Sequence, residues 1–152
     1  MKADTRHLVC VIVGLCGIGG IYGCRAQVLR HDQHIAAEQA QLFLQRLVIE
    51  QDVPSAHAML REQDKGQLTL AQLKDVVSKE HQQGYPDKVW AIEFEPVPGQ
   101  AAIQIFLAGE NRREKFYYRV PMVGTVDSGY HPAGFYRGNG PYPSSSLRQK
   151  LG

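Results

Sequence analysis

This 152-residue chain predicts an α+β fold with its helices first and its sheet second. Two observations carry that reading. Apolar residues recur at helical spacing as far as residue 84, and from Lys88 the period changes to strict alternation. Turns rich in Gly and Pro then divide the alternating part into four strands, which gives three helices followed by an antiparallel meander. The length suits one domain, preceded by an apolar leader.

The leader comes first. Lys2 and Arg6 precede an uncharged run from Leu8 to Gly23, which stops at Cys24. A basic start, an apolar stretch and small residues before a cut site form the secretory-signal pattern. Ile21-Tyr22-Gly23-Cys24 resembles the lipobox of bacterial lipoproteins. That resemblance implies cleavage before Cys24, a diacylglycerol on its sulfur, and a domain held at a cell membrane outside the cytoplasm. Acyl chains contribute roughly 0.8 kcal/mol per buried methylene, so more than one chain holds a protein stably. An uncleaved single-pass anchor and an ordinary secretory signal are the alternatives. The apolar run has 16 residues, whereas a spanning helix needs about 20. Its glycines lack the spacing of a dinucleotide-binding loop.

Cysteine and charge usage narrow the function. Cys10, Cys16 and Cys24 are the only cysteines, so thiol catalysis, disulfides and zinc–thiolate sites are excluded beyond residue 24. From Arg25 onward there are 15 basic and 14 acidic residues, a net charge of +1. Nucleic acid is not the expected partner, because gripping it needs a concentrated basic face. The organisation expected is a signal or anchor over 1–24, a polar tether over 25–35, a globular domain over 36–138 and a Gly/Pro/Ser-containing tail over 139–152.

In the globular part, Ala36, Ala40, Phe43 and Leu47, broadened by Ala37, Leu44 and Val48, predict a first helix from about His34 to Glu50. Asp52 then serves as an N-cap, with Pro54 in the first turn of a short second helix carrying Ala56, Met59 and Leu60 inward. Thr69-Leu70-Ala71-Gln72 is a capping box for the third helix, and Leu68 with Leu73 forms its hydrophobic staple. Leu70, Leu73, Val76 and Val77 make the apolar stripe, and Gly84 before Tyr85-Pro86 ends it.

Trp90, Ile92 and Phe94 alternate against Ala91, Glu93 and Glu95 in the first strand. Pro96-Val97-Pro98-Gly99 turns the chain into the second, with Ile103, Ile105 and Leu107 on one face. After Gly109-Glu110-Asn111-Arg112, the third strand sets Phe116, Tyr118, Val120 and Met122 against Tyr117 and Arg119. Asp127-Ser128-Gly129 turns again, before a last strand through Gly134-Phe135-Tyr136-Arg137.

Helix, short helix, capped helix and then strands ending in Gly-Phe-Tyr-Arg-Gly resembles the nuclear transport factor 2-like superfamily over about Ala36 to Gly138. The resemblance implies a curved, cone-shaped sheet closing a pocket against the helices. It also implies that enzymatic members, similar to ketosteroid isomerase or scytalone dehydratase, place an acid–base residue in the cone beside an oxyanion-holding Tyr or carboxyl.

Few residues suggest chemistry. Trp90, Phe94, Tyr117, Tyr118 and Tyr136 are candidate pocket-lining aromatics, although strands favour such residues for packing alone. Glu93 and Glu95 read as the wet face of a strand. His57 reads as a partly buried, hydrogen-bonded group, and His81 as a helix-end residue helped by the dipole. His31 and His34 lack a third ligand at a suitable offset, so no metal and no cofactor are expected. Arg112-Arg113 reads as a solvated tip neutralised by Glu110 and Glu114. The expected function is a membrane-tethered envelope domain that binds a small apolar ligand or an envelope protein and has no catalytic group. The alternatives are an isomerase or dehydratase using Glu93, Tyr117, Asp127 or His131 in the cone, or a structural protein assembling through its tail.

Overall fold

The computed structural model describes residues 30–152. The leader, Cys24 and the start of the tether lie outside the described residues. Helix α1 (Gln33–Leu44) begins where Asp32 accepts the amides of His34 and Ile35, at 2.9 and 3.1 Å. It continues as a π-helical turn over Gln45–Ile49, and Gln51, at φ +54°, breaks it. Asp52 then caps α2 (Val53–Ala58) through the Ser55 amide and hydroxyl. The hydroxyl contact is the main reason its carboxyl lies below the usual carboxylate range.

A single turn, α3 (Glu62–Lys65), follows and was not expected from periodicity. Two local ion pairs hold it: Arg61–Asp64 at 2.6 Å and Lys65–Glu62 at 2.5 Å. Helix α4 (Leu70–Glu80) has the anticipated capping box, with the Thr69 amide donating to Gln72 Oε1 at 2.8 Å. It ends at His81, earlier than the glycine suggested. Gly84, at φ +135°, belongs to the turn that follows.

Among the described residues the sheet is antiparallel and contains six strands: β1 (Lys88–Pro96), β2 (Ala102–Glu110), β3 (Lys115–Thr125), β4 (Gly129–Pro132), β5 (Tyr136–Gly138) and β6 (Gln149–Lys150). Their order is β4-β3-β2-β1-β6. β5 shares the β3 edge with β4: β4 pairs with Met122–Thr125, and β5 with Tyr117–Arg119. The expected count of four fails for two reasons. The last expected strand is two strands, because Pro132 offers no amide to a ladder and Gly134 turns the chain at φ +131°. The sixth comes from the expected tail, which pairs with Glu93 and Phe94 of β1.

A β-bulge corrects the first strand. The β1–β2 register slips between Ala91 and Glu93, so Ile92 is an extra residue. One inserted residue reverses the facing of everything beyond it. Val89, Ala91 and Phe94 therefore pack on the core, whereas Trp90 faces away from it opposite Ala108. The expectation that Trp90, Ile92 and Phe94 share a face does not hold. Alternation in β2 and β3 holds throughout: Ile103, Ile105, Leu107, Phe116, Tyr118, Val120 and Met122 are all buried.

Helix α1 packs across the inner face of β1 to β4, and together with its π-helical extension it buries Phe43, Leu44 and Leu47 completely. Each such side chain contributes about 1.5–3 kcal/mol relative to exposure. The outer face is covered differently. Residues 139–148 run from β5 at one edge to β6 at the other, and cross the outer face as a strap. Tyr142 meets Phe106 edge-on at 5.5 Å, and the Arg148 guanidinium lies 3.7 Å from the centre of the same ring.

Candidate functional site

Three places on the described chain have chemical potential: a buried histidine–tyrosine pair, a helix-side groove, and the strapped outer face.

Two elements create the buried pair. Helix α4 ends at His81, and β3 presents Tyr118 inward. The His81 ring is 3% exposed and Tyr118 is fully enclosed. His81 Nδ1 donates to the Val77 carbonyl at 2.9 Å, so Nε2 is left to accept from the Tyr118 hydroxyl at 2.8 Å. That arrangement requires a neutral imidazole. Burial pushes the His81 pKa below its ordinary value and the Tyr118 phenol well above its own. Tyr85 stacks on His81 at 4.8 Å, and Phe116 and Phe135 complete the enclosure. The helix-end role read for His81 is thus a hydrogen bond to a terminal-turn carbonyl rather than a positive charge.

The groove lies beside this pair. Leu68, Leu73, Val76 and Phe135 form its apolar floor, and Asp64, Gln67, Glu80 and Arg137 its polar rim, around about 500 Å³. Phe135 is shared, since it packs on both His81 and Tyr118. Arg137 is fixed on the rim: it donates to the Glu80 carbonyl at the end of α4, pairs with Glu114 at 3.3 Å, and covers Phe116 at 4.7 Å.

The outer face is an alternating cation–aromatic array. Arg119 lies 4.6 Å from the Tyr136 ring and 5.8 Å from that of Tyr142, which belongs to the strap. Arg148, also from the strap, approaches Glu95 at 3.5 Å and Glu93 at 3.9 Å while it covers Phe106. Gln104 Oε1, Arg119 Nε and Arg148 Nε are buried without hydrogen-bond partners.

The five candidate aromatics divide between the two faces. Phe94 and Tyr118 belong to the inner core. Trp90, beneath Lys88 at 5.5 Å, and Tyr117 lie on the outer face. Tyr136 is more than half exposed at the β5 edge. Of these five, Tyr136 alone also borders the groove. The four residues considered for acid–base work are dispersed as well. Glu93 and Tyr117 face outward, Asp127 is exposed in the β3–β4 turn, and His131 is exposed with Nδ1 3.2 Å from the Met59 carbonyl. His57 is partly buried and bonded to the Leu68 carbonyl at 2.9 Å, as read from sequence.

The basic tip is solvated as read, but its neighbouring carboxylates are engaged elsewhere. Glu110 pairs with Lys88 and Glu114 with Arg137, which leaves Arg112 and Arg113 exposed beside them. Sequence reasoning missed the His81–Tyr118 contact, and it missed Phe106 and Arg148 altogether. A signal for Phe106 existed: it is a large aromatic at an outward position of β2, between Gln104 and Ala108, and something must cover it.

Among the described residues, no group of three or more His, Cys, Asp or Glu side chains is placed to hold a metal ion. No helix among them is long and apolar enough to cross a membrane. Comparison with protein-family models, curated proteins and solved structures finds no match.

Proposed function

We propose that the chain is a membrane-tethered cell-envelope domain of the nuclear transport factor 2-like kind, its sheet curved into a cone around the helices, and that it acts by binding. The observation carrying this reading is the groove beside α4. Its apolar floor, mixed polar rim and size of about 500 Å³ suit a small apolar ligand or a short apolar segment of an envelope protein. The order of helices and antiparallel strands supports the family. The tether rests on Ile21-Tyr22-Gly23-Cys24. Intact mass of the full chain extracted from membranes tests it: a product beginning at a lipid-bearing Cys24, lost in Cys24→Ala, is expected. An unmodified Met1 chain in the soluble fraction would overturn it. Binding is tested by displacing an apolar fluorescent probe. Val76→Arg, in the groove, should abolish uptake, and Tyr117→Ser, on the other face, should not.

The second reading, an isomerase or dehydratase, is favoured by one contact. His81 and Tyr118 join an imidazole to a phenol behind Phe135, which is also the wall of the groove. Turnover of a small carbonyl substrate that disappears in Tyr118→Phe would support it over simple binding.

A further inference from the structure

We propose that Glu93, Glu95 and Phe106 form a guanidinium-binding site on the outer sheet face. Arg148 of the strap occupies it in cis, and it can accept an arginine side chain of an extended peptide in trans. The pieces are those that select a guanidinium over an ammonium: two carboxylates at one edge, and an aromatic face for the planar cation to lie on. Arg148 is nine-tenths buried there, so it is seated in the site rather than resting on it.

The occupant fits imperfectly. Its nitrogens lie 3.5 and 3.9 Å from the carboxylates, well beyond the usual 2.7–2.9 Å for a charge-assisted bond. One nitrogen also donates to the Tyr142 carbonyl at 3.1 Å, and Nε has no partner. Arg148 is carried by a strap that must reach from the β5 edge, bend through Gly140-Pro141 and arrive in register with Glu93 and Phe94, which restricts where its guanidinium can sit. A guanidinium carried by another chain lacks that constraint and can close on both carboxylates. The backbone at the site is suited to such a peptide. β6 contributes two residues to the β1 edge, and the ladder runs one bond further, where the Ile92 carbonyl accepts from the Leu151 amide at 3.0 Å. An arginine-bearing strand can take the place of β6 along this stretch of the edge. The strap is then an intramolecular competitor for its own site, and this stands apart from the groove and from the tether.

Full-length Arg148→Ala empties the site. Millimolar ethylguanidinium should raise its Tm, ethylammonium should not, and Glu93→Gln/Glu95→Gln in the same chain should abolish the response. A synthetic peptide of residues 139–152 should bind Arg148→Ala more tightly than the native chain by about tenfold or more, the factor by which a closed strap reduces the open fraction. No peptide binding to Arg148→Ala, or an equal response to ethylammonium, would overturn the proposal. Should Arg148→Ala not fold, Arg148→Lys keeps the charge and must show the same peptide ranking.

Discussion

His81 and Tyr118 share a hydrogen bond that is buried at both ends, so its loss is not made good by solvent. Tyr118→Phe leaves His81 Nε2 buried without a donor, and an unsatisfied buried group costs about 1–3 kcal/mol. Urea unfolding should show a loss of that size, while a change below about 0.5 kcal/mol would mean that water reaches the ring. The same pair sets a pH dependence. Burial lowers the folded-state pKa of His81 below its ordinary 6.5, so the unfolded chain takes up the proton first. Stability is therefore complete above about pH 6.5, and declines as pH falls toward the folded-state value. Replacing His81 by Gln should flatten the Tm profile between pH 7 and 5, and an unchanged slope would assign the titration elsewhere. How far such sites can be read from sequence depends on how local the determinants are. The facing of Tyr117 and Tyr118 follows from alternation alone. The meeting of His81 with Tyr118 joins residues 37 positions apart, and no local pattern encodes it.

Among the elements, the best-read one is also the one whose signals lie within four residues of each other. Thr69 and Gln72 form the box that their spacing predicts, and α4 begins where they place it. Thr69→Ala should cost about 0.5–2 kcal/mol, seen as a lower urea midpoint at unchanged slope. Strand β1 departs from its alternation because a bulge has no spacing signature: Trp90, Ile92 and Phe94 alternate perfectly in the sequence, and only pairing with β2 reveals the extra residue. Asp127-Ser128-Gly129 marks the turn after β3 in the sequence, but nothing there marks its tightness. Gly124 has φ +129°, and a Cβ there would lie 1.8 Å from the Gly129 carbonyl oxygen. Backbone cannot move aside as a flexible side chain can, so Gly124→Ala should cost at least about 1–3 kcal/mol through strain. Thermal denaturation of Gly124→Ala beside Gly99→Ala checks this. Gly99 also has a positive φ but nothing within 4 Å of a Cβ, so equal losses would mean that conformation alone, and not the close approach, decides.

For the whole molecule, the placement of the chain's entry gives the proposed tether a geometric consequence. Arg30 meets the β3–β4 turn, where its carbonyl accepts from the Val126 amide at 3.3 Å, and the Tyr130 hydroxyl accepts from the Asp32 amide at 2.7 Å. The Arg112-Arg113 tip lies at the other end of β3, an 11-residue strand, which at about 3.3 Å per residue makes the two ends roughly 35 Å apart. From Cys24 to Arg30 the chain can extend at most about 20 Å. A lipid on Cys24 therefore keeps the β3–β4 turn near the bilayer, while the paired arginines have room to stand away from it. Fluorophores placed separately at Asp127→Cys and Arg113→Cys, in chains whose other free thiols are removed and whose Cys24 is lipid-modified, report this in vesicles containing brominated lipid. Quenching should be strong at 127 and weak at 113. Equal quenching at both would lay the sheet flat on the membrane and bring the exposed arginines to the headgroups, and the strap's outer face would then have to be reached from the side.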